Sequence, residues 1–384
     1  MSVPAHRPGR PAAGGLWSFT GQRRGLGPGD PSPPYLRTGP RLGARWEPGT
    51  SAEGGNMVRR EVWSTAETEV LARTLLRAPS VHNTQPWLLE FEGDRLLLVE
   101  RRDLSLPEHD PLGHDRVISC GAALANLEIA IRVLGYEPRT ETFPEPGRPD
   151  VVASLAPGER TLPSAADLHR YSAIERRRSY RRRFSGRPVT RQRIGDLVVT
   201  AASAGVEAKP ILDELELTRV AELLEFAAEA HQHDHGYQRE LALWTIRDEV
   251  SHRHGVGLSA TAVPPGSLPW AGLVRPSTAL PDSAVLTRRL AEETLLVFLT
   301  LDDTRHDHLA AGHALQTTWL DAVDGGLVGS VLTQPLHLPE VRSTLCEDLE
   351  LAGFPQALMR FGYPSGAVPA SPRRAVEEVL GHGF

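Results

Sequence analysis

The chain has 384 residues, 40% hydrophobic and 23% charged, with a net charge of −6 and two cysteines. That length predicts two or three domains at about 100–200 residues each. The acidic balance argues against a general nucleic-acid binder, two cysteines cannot build a disulfide framework or a cysteine zinc site, and the longest apolar runs are far too short to span a membrane. A cytoplasmic protein with neither nucleic-acid nor membrane partners is therefore expected.

Residues 1–56 hold 12 Gly and 9 Pro, with seven Arg against three acidic residues and no apolar periodicity. They are expected to be a disordered tail, or to precede a natural start at Met57. The body without them carries −10. Its elements are predicted in this order. A helix over 65–77 is capped by Ser64 or Thr65 and stopped by Pro79. Two strands follow, 87–91 and 95–99, around the turn at Gly93. A helix over 121–134 ends at Gly135, and 143–149 is a loop. Helical patterns come next at 172–183 (in part), 191–202 and 220–253. Five prolines make 263–281 an irregular excursion. A buried strand at 295–301, a helix over 307–323 and strands at 328–332 and 358–361 complete the chain.

An internal repeat underlies this order. Gly121-Ala122-Ala123-Leu124 through Gly135 aligns without a gap on Gly312-His313-Ala314-Leu315 through Gly326, and the stretch after Ala78 has an eroded echo from Thr200 to Pro210. The interval Ser80 to Gly121 is 41 residues and Ser203 to Gly312 is 109, so the second copy carries 68 extra residues. The expected domains are 57–170 and 171–384, with an inserted helix and lid at about 213–281.

Two segments carry chemistry. In the first, Pro79, Ser80, Asn83, Gln85 and Trp87 lie between a helix and a strand. Prolines there fix the backbone, and Asn and Gln each offer both a donor and an acceptor to the edge of a planar heterocycle. In the second, six arginines stand in the nine residues 176–184, beside Ser179. In an acidic body this cluster suits one small anionic ligand better than RNA. Only Lys209 among the 42 basic residues is a lysine, so a phosphate would be gripped by forked guanidinium donors. A third feature, His231 and His235 at i and i+4, lacks a carboxylate partner. It is read as a solvated helix face, and no metal site is expected.

The Pro-Ser-x-x-Asn-x-Gln-Pro-Trp pattern at 79–87 and the Arg-Arg-Ser-x-Arg pattern at 177–181 together resemble the nitroreductase family of FMN-dependent homodimeric enzymes. Residues 356–363 and 372–374 resemble its Acg-type subgroup of fused proteins. In ordinary members the Arg-Ser element comes first and each flavin draws on two subunits. Here the order is inverted and each element occurs once, with Val206 and Ala208 near the places of Asn and Gln in the second copy. The resemblance implies an α+β fold, with tandem halves, each a mixed or antiparallel sheet flanked by helices, forming a monomeric pseudo-dimer with one FMN site. It implies that Arg177, Ser179, Arg181 and Arg373 or Arg374 hold the FMN phosphate, and that Pro79, Ser80, Asn83 and Gln85 meet the flavin ring. Family members aim a backbone N–H at flavin N5 where this chain has Thr333-Gln334-Pro335. Proline has no N–H to give, so Gln334 is the candidate.

The function implied is an oxidoreductase that takes hydride from NAD(P)H and passes it to a nitroaromatic or quinone-like acceptor. The alternative is a flavin-sequestering protein whose inserted segment covers the cofactor.

Overall fold

The computed structural model describes residues 63–246, 250, 253–259 and 273–381, all within the compact unit Val58–Phe384. The expectations for 1–56 and for much of the proline-rich excursion lie outside the described residues. The fold is α+β, with two four-stranded antiparallel sheets.

The first half opens with helix α1 (Thr65–Leu76), held at its start by a capping box between Ser64 and Glu67. Strands β1 (Trp87–Glu92) and β2 (Arg95–Glu100) form a hairpin. Helix α2 (His114–Val133) and strands β3 (Tyr136–Thr142) and β4 (Val151–Arg160) follow, giving the order β1-β2-β4-β3. Helix α3 (Ala165–Arg176) leads to the second half. There α4 (Arg191–Ser203), β5 (Glu207–Ile211), β8 (Thr294–Thr300), α8 (Arg305–Asp324), β9 (Val328–Leu332) and β10 (Phe354–Gly362) give the order β5-β8-β10-β9. Taken in chain order, both sheets run first, second, fourth, third. Only a two-residue turn joins β1 to β2. Between β5 and β8 the chain instead makes α5 (Glu214–His233), α6 (His235–Trp244), a short parallel pair β6 (Thr245–Ile246) and β7 (Leu258–Ser259), and α7 (Ser283–Leu290). Helix α9 (Pro339–Asp348) lies between β9 and β10.

Helices α2 and α8 pack on each other. They approach closely at Gly121 and Gly312, where a Cβ on either would overlap the other helix's backbone. The first core sets α1 and α2 against Leu89, Leu96, Leu98 and Ala153. The second sheet is covered on both faces. Leu296, Phe298, Met359 and Phe361 meet α4 and α8, while Leu295, Val297, Leu299 and Leu358 meet α5, α7 and α9. Two-sided burial explains the unbroken apolar run of β8.

Several expectations are corrected. The 220–253 helix is broken at Asp234, where the backbone turns extended (ψ 107°) and the side chain accepts from Gly236 and Tyr237 N–H at the start of α6. His231 and His235 therefore do not share one helix. The 172–183 helix is α3, which starts earlier at a Ser164–Asp167 capping box and ends before Arg177, where ψ is 131°. From there the chain is extended, and Tyr180 N–H donates to Gly329 O (2.8 Å) along the β9 edge. Strands β3, β4 and β5 were hidden by proline and glycine. Pro138 and Pro157 sit at a register shift, and Pro210 sits on an edge strand. The C-terminal residues return to the first half, where Val379 O accepts from Leu89 N–H and Gly381 N–H donates to Leu89 O (both 2.7 Å), covering the β1 edge. No helix among the described residues is long and apolar enough to cross a membrane.

Candidate functional site

The two halves meet around a cavity. Pro79, Ser80 and His82 approach from the loop after α1, and Asp115, Ile118, Ser119 and Ala122 from α2. The second half supplies Ser179, Arg181, Leu315, Trp319, Ser330, Thr333 and Gln334, and the inserted segment adds Leu258 and Leu273. A smaller polar pocket, lined by Arg77, Arg177, Arg178, Ser179, Ser371 and Arg373, shares Ser179 with it. The sequence-predicted residues Pro79, Ser80, Ser179, Arg181 and Gln334 thus border the cavity, while Arg177 and Arg373 sit in the arginine pocket.

This pocket carries an uncompensated charge. Arg177 is 4% exposed, stacks at 4.5 Å over the Trp319 ring, and donates from Nη2 to Arg77 O (3.0 Å). Its Nε and Nη1 are buried without a partner among the described residues, as is Nε of Arg373. No carboxylate among the described residues lines the pocket; Glu175, an acid that pairs with Arg77, is itself largely exposed. Burial, and then the neighbouring Arg373, push the Arg177 guanidinium well below its ordinary pKa. Burial also lowers Arg181 to about 10, and burial with the charges of Arg77 and Arg178 lowers Arg373 to about 10. Buried cations with unused donors are costly unless an anion completes them.

Three predicted residues, Asn83, Gln85 and Arg374, are turned elsewhere. His82, Asn83 and Gln85 take φ values of 47°, 57° and 52°, left-handed conformations that strain non-glycine residues. Ser80 Oγ accepts from Gln85 N–H (3.0 Å) and holds the loop. Asn83 Nδ2 donates to Gly255 O, Gly257 O and Pro372 O, and its Oδ1 accepts from Arg373 Nη1 (2.6 Å). Gln85 Nε2 donates to Gly255 O (2.7 Å), and its Oε1 accepts from Arg374 N–H. Both amides are spent tying the loop to the inserted segment and the C-terminal tail, so they do not border the cavity. Of the two tail arginines, Arg373 enters the arginine pocket. Arg374 turns to Glu378 and Thr84 O. Val206 and Ala208 do not mark eroded equivalents of Asn83 and Gln85. Ten residues separate α1 from β1 and only three separate α4 from β5, so the second half has no such loop.

Gln334 opens a 3₁₀ turn, borders the cavity, and has a buried Oε1 without a partner among the described residues, whereas Pro335 is not in the lining. Sequence reasoning missed the side beyond Gln334. Asp115 Oδ2 accepts from Thr333 Oγ1 (2.6 Å) and lies 3.0 Å from His109 Nε2. Burial lowers the His82 imidazole, with His109 adding to the effect. Asp110, buried beside Asp115, is pushed up to about 7.

No protein-family model matches the chain. Among curated proteins, it is 33% identical over 326 residues to “Putative NAD(P)H nitroreductase Rv3131” of Mycobacterium tuberculosis strain H37Rv, across 82% of this chain and 91% of that one. It is 30% identical over 316 residues to “Putative NAD(P)H nitroreductase acg” of the same strain, across 79% and 92%. Among solved structures, a nitroreductase with bound FMN from Bacteroides fragilis aligns over 54% of this chain and 94% of its own, at 14% identity and a TM-score of 0.35. A BluB-like flavoprotein from Clostridium difficile aligns over 56% and 98%, at 12% identity and 0.37.

Proposed function

The chain belongs to the nitroreductase family, and we propose that it binds one FMN per chain and passes electrons from NAD(P)H to a small-molecule acceptor of nitroaromatic or quinone type. The carrying observation is the arginine pocket. Arg177 Nε and Nη1 and Arg373 Nε are buried without an acceptor among the described residues, and the larger cavity shares Ser179 with this pocket. A phosphate offers several charged acceptors to forked donors, which is the pairing these residues lack.

In this reading Arg177, Arg373 and Arg181 hold the phosphate, and Trp319 fixes the Arg177 plane from behind. Ser80, Ser179 and Gln334, which line the cavity, would offer polar contacts to the ring. Leu258, Leu273 and Leu315 keep water out. FMN supplies the hydride chemistry once bound, and the protein supplies placement and electrostatics. The missing loop between α4 and β5 leaves the second half without a matching site. That supports one flavin per chain in a monomer with an internal pseudo-two-fold.

A second reading has one specific observation in its favour. Leu258 and Leu273 of the inserted segment line the cavity, and Gly255 is tied to both Asn83 and Gln85. A roof fastened this way suits retention of flavin without turnover. An anaerobic visible spectrum with NADPH separates the readings. Rapid bleaching of a yellow protein supports the reductase, and a yellow colour that persists until dithionite is added supports retention. A colourless protein that takes up no FMN would sink both.

A further inference from the structure

His109, Asp115 and His337 come from three places, namely the turn before α2, the first turn of α2 and the 3₁₀ turn after β9. They are six and 222 residues apart in sequence, so no spacing motif announces them. In the fold, Nε2 of His109 lies 3.0 Å and Nε2 of His337 lies 3.2 Å from Asp115 Oδ2, and one donor atom from each falls within 4.8 Å of the other two. Ligands bound to a metal at about 2.0–2.1 Å in tetrahedral geometry stand roughly 3.3 Å apart. His109 and His337 thus both turn Nε2 to the same carboxylate oxygen, His337 as an ion-pair contact.

We propose that His109, Asp115 and His337 bind one divalent transition-metal ion in the wall of the cavity. Two imidazoles and a carboxylate are a ligand set for zinc or iron(II) that leaves further positions open. Asp115 borders the cavity, so an open position can face it. The site does not require a bound flavin.

Charge supports the same assignment. Asp110 and Asp115 are 2% and 3% exposed. Among the described residues neither carboxylate bonds an arginine or lysine side chain. Asp110 Oδ2 takes the backbone N–H of Arg116 (2.9 Å), and its Oδ1 is buried without a hydrogen-bond partner among the described residues. Asp115 faces the imidazoles of His109 and His337, and a dication held by all three would give this buried carboxylate a fixed counter-charge. A second cluster gives the contrast. His114, Asp303 and His308 also converge, but both oxygens of Asp303 already take Arg342 Nη1 and Nη2 (2.7 and 2.8 Å). That guanidinium fills the role a cation would have.

The test is metal analysis of the purified full chain, then calorimetric titration of the chelator-treated protein with Zn²⁺. The expected result is one Zn²⁺ per chain, with affinity weakened about 100-fold or more in His337→Gln and in His109→Ala and unchanged in His308→Ala. Thermal melts confirm that each variant is folded, and Co²⁺ bands in flavin-free protein read the ligand geometry. Wild-type protein that melts cooperatively yet binds no stoichiometric Zn²⁺ overturns the proposal. Binding that survives both His337→Gln and His109→Ala overturns it as well, since the ion then sits elsewhere.

Discussion

Gly121 on α2 and Gly312 on α8 meet at the crossing of the two helices: a Cβ on Gly121 would overlap Leu309 O, and a Cβ on Gly312 would overlap Ile118 O. Each glycine clashes with the residue three positions before the other, so the contact is reciprocal. The same two glycines align in the internal repeat. The packing of the halves thus rests on positions that the sequence already paired.

Gly121→Ala or Gly312→Ala is accordingly expected to destabilise the fold by about 3 kcal/mol or more, through backbone overlap that no rotamer relieves. Gly195 on α4 is the control. Nothing lies within 4 Å of its Cβ position, so Gly195→Ala should add roughly 0.5–1 kcal/mol by helix propensity. Chemical denaturation of the three variants reads both signs.

Arg177→Met should have opposite effects on apoprotein and complex. Removing a buried, incompletely partnered cation should raise the melting temperature of the apoprotein. FMN affinity should fall by about 10- to 100-fold, the value of one charged hydrogen bond of about 1.5–3 kcal/mol. Flavin fluorescence quenching and thermal melts on the same sample measure the two.

Asn83→Ala removes the amide that joins Gly255, Gly257, Pro372 and Arg373. Leaving those groups unpaired should cost about 1–3 kcal/mol, concentrated in two distant segments. Hydrogen exchange should quicken at 255–257 and 372–381 together, while α2 and β8 stay protected. Faster exchange in only one of the two segments would show that Asn83 does not couple them.

Burial lowers the His231 imidazole to about 4, while its Nε2 lies 3.2 Å from Gln334 O. The unfolded chain, with His near 6.5, therefore takes up more protons than the folded one between about pH 6.5 and 4. Stability from this group is full above pH 6.5 and declines as the pH falls toward 4. A melting series across that window should show a shallower acid decline in His231→Gln than in the parent.

The sequence disclosed whatever had a local signature. The capped start of α1, the two-sided apolar run of β8 and the paired glycines of α2 and α8 were all legible. The Arg-Ser element stood out because six arginines stand in one short stretch, and the fold gathers Arg177, Arg178 and Ser179 around one pocket. Strands carrying Pro138, Pro157 and Pro210 were not legible, since their tolerance depends on a bulge or an edge that only pairing defines. Asn83 and Gln85 were noticed for sound reasons, but their partners lie some 170 to 290 residues away, so the sequence could not say what they hold. The histidine–aspartate cluster escaped for the same reason, because His337 reaches Asp115 only through the packing of one half on the other.

Titration of the apoprotein with FMN, with equivalents counted at saturation, tests whether the chain holds one composite flavin site. One FMN per monomeric chain is expected, with the tight site weakened in Arg177→Met. Two equivalents per chain, or an affinity indifferent to Arg177, would contradict it.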